Sequence, residues 1–170
     1  YPIPRISYKK LKAEHIKAHR RYYGNLDLDI PLDSTDIPTD KRLARYKKGV
    51  EDPGLPLLYF NYGRYLLCSV SALGELPSNL QGKWNEDLKP PWDSDYHNNI
   101  NLQMCYWPAE AGNLGDCLKA LFNHIERFIP HGKKAAKDLY GCKGVYFPLQ
   151  TDAWGRSTPE AYGWAVWIGA

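Results

Sequence analysis

Apolar positions recur at helical intervals through most of the chain, with glycine and proline marking where the helices stop. Tyr8 to Tyr23 reads as a helix closed by Gly24-Asn25. An irregular connector follows from Leu26 to Asp40, punctuated by Pro31 and Pro38. Thr39 and Asp40 can cap a short helix through Lys48, which Gly49 terminates. After a turn at Asp52-Pro53-Gly54, Pro56 opens a helix through Leu73, with Leu58, Tyr62, Tyr65 and Leu66 at helical spacing and Gly74 as its stop. Asn101 to Ala111 is again helical, with Pro108 as a kink or an end. Asn113 and Asp116 form a cap-like pair before the clearest helix, whose expected buried stripe is Leu118, Leu121, Phe122, Ile125, Phe128 and Ile129. Pro130 is a possible bend, Lys133 to Tyr140 continues the helix to Gly141, and another apolar helix begins at Ala161. The fold class this predicts is all-α.

Two long connections break the pattern. Residues 75–98 hold Pro77, Gly82, Pro90, Pro91, Trp84 and Trp92, and residues 144–160 are also loop-like. A connection of the first kind inside a compact domain is usually functional or disordered, and its tryptophans argue against disorder.

Composition adds one unusual number. Of 170 residues, 14% are aromatic, and the six tryptophans all lie at or after Trp84. Such rings suit a core or a site that stacks sugar faces. Mean hydropathy is -0.54 and no apolar run approaches the length of a membrane span. The first 50 residues carry 12 Lys/Arg against 6 Asp/Glu, and the other 120 carry 10 against 13. No nucleic-acid motif accompanies the basic head, so a solvated helix face explains it and no nucleic-acid partner is expected. Cys68, Cys105, Cys117 and Cys142 lack CxxC or zinc-finger spacing and read as structural thiols; no metal or cofactor is expected. The chain opens on Tyr1 without methionine and stops within an apolar stretch, so both ends read as cut.

The densest chemistry lies between Trp92 and Asn101, with Asp93, Asp95, His97, Asn98 and Asn99 inside it. On a helix Asn99 and Asn101 would be about 200° apart, whereas on an extended segment positions i and i+2 share a face. Both are therefore expected just before the helix, Asn101 at or near its first turn. The competing interpretation makes Asn101 an N-cap and gives Asn99 to loop backbone. Asp93, Asp95, Glu110 and Asp152 are carboxylates of the kind glycoside hydrolysis uses, but spacing pairs none of them. His97 lacks a nucleophile elbow, and Trp92, Trp107 and Trp154 could stack on sugars or pack in a core. No phosphate-binding glycine motif occurs.

Taken in order, Tyr62-Gly63-Arg64-Tyr65-Leu66-Leu67, Leu76-Pro77-Ser78-Asn79-Leu80-Gln81-Gly82-Lys83-Trp84-Asn85, Pro90-Pro91-Trp92-Asp93-Ser94, Asn99-Ile100-Asn101, Tyr106-Trp107-Pro108-Ala109-Glu110 and Thr151-Asp152-Ala153-Trp154 closely resemble glycoside hydrolase family 95. That family consists mostly of 1,2-α-L-fucosidases, with some α-L-galactosidases. The resemblance implies a helical linker at residues 1–50 and the first part of an (α/α)6 barrel at 51–170, the barrel being incomplete. It implies an inverting mechanism, in which an acid protonates the leaving oxygen and a base activates water. Asn99 and Asn101 match the family's pair of asparagines that hold and polarise this water. The general acid and base are implied to lie beyond residue 170, so the piece alone is expected to be inactive. His97, Trp92 and Asp152 are assigned to the pocket wall. The implied partner is a fucosylated oligosaccharide or glycan, and the implied location extracellular or periplasmic. One departure stands out: Leu149-Gln150 occupies positions where the family commonly has His-Asn. The alternatives are an α-L-galactosidase and a non-catalytic helical carbohydrate-binding or interaction module.

Overall fold

Helices form where the punctuation asked for them, although several caps and buried faces differ. The computed structural model describes residues 5–30, 36–72 and 74–159. The helix expected from Ala161, with Trp164 and Trp167, lies outside the described residues, as do Leu73 and part of the connector at 31–35. The described residues are mostly helical, in the order α1 (Tyr8–Tyr23), α2 (Thr39–Tyr46), α3 (Gly54–Ser71), β1 (Tyr96–His97), α4 (Asn101–Tyr106), α5 (Pro108–Ala111), α6 (Leu118–Tyr140) and β2 (Gln150–Thr151). None of these helices is long and apolar enough to cross a membrane. The chain divides into two compact units at Tyr65/Leu66, within α3.

In the first unit, the Ser7 side chain accepts a hydrogen bond from the Lys10 amide and caps α1, while Gly24 closes it. The expected caps of α2 are displaced. Pro38 precedes the helix with no side-chain cap bond, and Thr39 and Asp40 are its first two residues. Asp52 does more than turn the chain. Its carboxylate accepts from the Gly54 amide at 3.1 Å and takes a two-pronged contact from Arg42, at 2.8 and 2.7 Å, so it caps α3 and ties it to α2. Arg64 is buried with its guanidinium 4.6 Å from the centre of the Tyr23 ring, donating to the Tyr23 and Leu26 carbonyls. Leu58, Tyr62 and Tyr65, which recur at helical spacing, are exposed. With apolar residues on every side of α3, periodicity could not select its inward face.

The second unit is built on the end of α3 and on α4 to α6. Leu67, Cys68 and Val70 of α3 are buried, as are Leu102 and Tyr106 of α4, Ala109, Leu114 and Cys117. Trp107 and Pro108 separate α4 from α5, as the proline requires. Asn113, at φ 51°, stops α5. Cys117, not Asp116, is the N-cap of α6 and its side chain makes no capping bond, while the Asp116 carboxylate pairs with Lys119. Helix α6 runs unbroken through Pro130 to Gly141, where a left-handed residue at φ 64° lets the Cys142 amide reach the Ala136 carbonyl.

The buried face of α6 differs from the expected one. It is Ala120, His124, Phe128, Gly132, Ala135 and Ala136, whereas Phe122 is exposed and Leu118, Leu121, Ile125 and Ile129 are only half-buried. Small residues face inward because another backbone comes close. A Cβ on Gly132 would lie 2.8 Å from the Tyr146 carbonyl oxygen and 2.5 Å from Val145 Cγ1. The Tyr146 amide donates to the Gly132 carbonyl at 3.0 Å, and Phe147 stacks on Phe128. This fastens residues 144–148 along α6 and delivers β2 to β1. The two strands pair antiparallel, Tyr96 opposite Thr151 and His97 opposite Gln150. None of the four cysteines is in a disulfide, and Cys68 and Cys117 are buried. The neighbouring Cys68 thiol and burial push Cys117 far up, and burial pushes Cys105 up, so these thiols stay protonated.

Candidate functional site

The loop that carries the chemistry is held by amide side chains. Asn79 donates to both the carbonyl and the hydroxyl of Ser94, at 2.7 and 3.0 Å, and Gln81 donates to the Pro91 carbonyl at 3.1 Å. These clamps grip an unusual turn in which Trp92, Asp93 and Ser94 all have positive φ, at 55°, 56° and 51°. Left-handed backbone costs a non-glycine residue roughly 1–2 kcal/mol, and strain of this kind clusters at functional sites. The turn leaves the Trp92 ring 72% exposed, with its face at right angles to the His97 ring 5.8 Å away.

His97 is buried at 7% exposure, between Gln150 and Asp95. Nε2 lies 3.0 Å from Gln150 Nε2, and Nδ1 faces Asp95 Oδ1. A glutamine amide nitrogen only donates, so His97 Nε2 accepts and the ring proton sits on Nδ1, toward the carboxylate. Burial pushes the Asp95 carboxyl upward, against the opposing pull of His97. The arrangement links β1, β2 and the strained turn through one imidazole.

Asn98, Asn99 and Ile100 then form a turn, not the extended run expected from the i, i+2 argument. Asn98 is 6% exposed; its amide donates to the Leu149 carbonyl at 2.8 Å and its side chain to the Pro148 carbonyl at 2.9 Å. Asn99 is half-buried, and its Oδ1 is enclosed without a hydrogen-bond partner among the described residues. Asn101 is the first residue of α4 and exposed. Ile100 is the N-cap and no side chain caps this helix, so the capping role that competed for Asn101 is absent. Asn101 and His97 both line a crevice with Ser78, Leu102 and Cys105 that is too narrow to admit a water molecule.

Asp152 stands apart from this cleft. Its Oδ1 accepts from the Trp154 and Arg156 amides, at 2.9 and 3.1 Å, and shapes its own loop. Trp107 and Trp154 are 64% and 83% exposed, so neither they nor Trp92 are core rings. Trp154 instead borders an open groove with Glu126, Arg127 and Asn123. No group of three metal-ligating side chains is found among the described residues.

Sequence reasoning named Asp95, Asn98 and Gln150 but not the bonds that tie them to His97 and to residues 148–149, and it missed Gln103. For Gln103 a signal existed: it is the third residue of α4, the position from which glutamine reaches back over a helix start. For Gln150 none existed, because its partner is 53 residues earlier.

Residues 7–170 match the family model described as the glycosyl hydrolase family 95 catalytic domain. Over 97% of its length the chain is 37% identical to "Alpha-L-fucosidase 2" of Arabidopsis thaliana. It is 41% identical over 79% of its length to "Probable alpha-fucosidase A" of Aspergillus niger, and 41% identical over 81% to the protein of the same name from Aspergillus oryzae. The chain spans 17–20% of the length of these relatives.

Proposed function

Since the chain belongs to glycoside hydrolase family 95, we propose that the full protein hydrolyses α-linked L-fucose from glycans with inversion. In this reading residues 1–50 are a helical linker and 51–170 the first part of an (α/α)6 barrel. Asn99 and Asn101 act on the attacking water, and their carbonyl oxygens accept its hydrogens. Amides cannot take the proton, so a carboxylate base and a general acid from beyond residue 170 complete the reaction, on opposite faces of the sugar. The observation that carries the assignment is the enclosed, unpartnered Oδ1 of Asn99, beside an Asn101 that serves no cap. An acceptor so placed suits a bound water's hydrogen. Trp92 lines the sugar pocket directly, while His97 and Asp152 shape its wall through the contacts described above. An extracellular or periplasmic location fits a glycan substrate.

A second sugar has one observation in its favour. Gln150, at a position where the family commonly has Asn, gives its amide to His97. A sugar contact from that position is therefore withdrawn here. L-Galactose differs from L-fucose by a hydroxyl at C6, which a remodelled pocket could admit.

The test is hydrolysis of 2'-fucosyllactose and of α-L-galactosides by the full-length protein. Turnover of neither would sink the hydrolase assignment and favour a carbohydrate-binding module. Replacing Asn99 or Asn101 by Gly should cut turnover far more than stability; matched losses of both would return these residues to a structural role. The 170-residue piece alone should show no turnover.

A further inference from the structure

Resting on the assignment of Asn99 to the attacking water, we infer that Gln103 is the positioning residue for Asn99, acting through the backbone of Asn98. Gln103 Nε2 donates to the Asn98 carbonyl at 2.7 Å. That carbonyl belongs to the same rigid peptide plane as the Asn99 amide. Fixing the direction of the one sets the plane of the other, and with it the direction in which Asn99 leaves the backbone. The other polar groups of Asn98 are also held, its amide by Leu149 and its side chain by Pro148. One end of the plane is thus anchored to residues 148–149 and the other to α4, and the Met104 amide, donating to the Ile100 carbonyl at 2.9 Å, closes the turn onto the helix.

The glutamine itself has one orientation. Turning its amide over would set Oε1 against the Asn98 carbonyl, acceptor to acceptor. Gln103 Oε1 is enclosed with no partner among the described residues, as is Asn99 Oδ1. Leaving such acceptors unpaired is costly in a purely structural turn. A reacting group displaced by about 1 Å can lose on the order of 100-fold in rate, which is what a free-swinging Asn98–Asn99 peptide would allow.

The test compares Gln103→Glu and Gln103→Leu in the full-length enzyme. At neutral pH a carboxylate cannot donate to the Asn98 carbonyl and leucine has nothing to donate. Both variants should lose on the order of 10- to 100-fold in kcat, with KM within about threefold and the thermal midpoint little changed. As pH falls through the introduced carboxyl's pKa, about 4.3 or higher where burial raises it, its protonated form can donate again. Gln103→Glu should then recover relative to wild type and Gln103→Leu should not. Wild-type kcat in either variant at neutral pH overturns the inference, as does an activity loss that only follows loss of folded protein. Identical pH profiles for the two variants also overturn it. Should the wild-type enzyme hydrolyse no fucoside, the functional reading fails separately, and the crystal structure of Gln103→Leu decides the brace. An Asn99 side chain in its original place refutes it, and a displaced one supports it.

Discussion

Replacing Tyr106 by Phe removes one oxygen and leaves two partners unpaired. Tyr106 Oη lies 2.7 Å from Ser71 Oγ and accepts from the Ser78 amide at 2.8 Å. Ser71 is fully buried at 0% exposure, so its hydroxyl has no route to water once the phenol is gone. An unsatisfied buried group costs about 1–3 kcal/mol. The half-buried Ser78 amide falls at the lower end and the Ser71 hydroxyl nearer the middle, giving about 2–4 kcal/mol together. Chemical denaturation of the full-length protein should show this as a lower midpoint with an unchanged slope. The reasoning makes a sharper claim about the pair. Adding Ser71→Ala to Tyr106→Phe removes the stranded hydroxyl, so the double variant should be about 1 kcal/mol more stable than Tyr106→Phe alone. Ser71→Ala in the wild-type background should destabilise. If the two substitutions simply add, the hydroxyl is not stranded and the reasoning fails. Limited proteolysis gives a local check: Ser78 precedes the clamp residue Asn79, so cleavage within 78–95 should quicken in Tyr106→Phe and slow again in a variant that keeps the phenol.

Two further outcomes concern α6. His124 is buried, and burial, helped by Arg127, holds its pKa down at about 4. The unfolded chain binds a proton near pH 6.5 while the native ring stays neutral, so this contribution is whole above about pH 6.5 and is lost as pH falls toward 4. By pH 5 the loss is up to about 2 kcal/mol. Thermal midpoints at pH 7 and 5 should therefore separate less in His124→Leu than in wild type, and equal separations would exclude His124 as the acid-sensitive group. Gly132→Ala should destabilise by up to about 2 kcal/mol despite alanine's better helix propensity, since overpacking costs about 1–3 kcal/mol and propensity returns about 1. The added methyl meets the Tyr146 carbonyl, which cannot retreat without stretching its own amide's bond to Gly132; an unchanged or raised denaturation midpoint would show that the segment gives way freely.

How far local pattern carries is clear from individual elements. Helix α1 begins after Ser7 and ends at Gly24 because both signals lie next to the turns they control. The buried face of α6 could not be read the same way. Its large aliphatic stripe is the stronger pattern, but Gly132, Ala135 and Ala136 face inward to admit a backbone from residues 145–146. Asn99 and Asn101 stand out in a short, amide-rich run, whereas the bonds from Asn98 to Pro148 and from His97 to Gln150 cross 50 and 53 residues. The turn at Trp92-Asp93-Ser94 gave no warning either. Positive φ is normally announced by glycine or asparagine, and this turn depends on Asn79 and Gln81 from another part of the loop.

The reach of those bonds bears on how the protein is made. Asn98 emerges from the ribosome about 50 residues ahead of the carbonyls that will hold it. At roughly 5–20 residues per second, synthesis of that interval takes about 3–10 s. Throughout it, α4 can coil and Gln103 can grip the Asn98 carbonyl, but neither Asn98 nor His97 has met its later partner. A ribosome halted just short of residue 148 would hold a nascent chain with helices but no finished amide turn, and one that has extruded Gln150 would hold both.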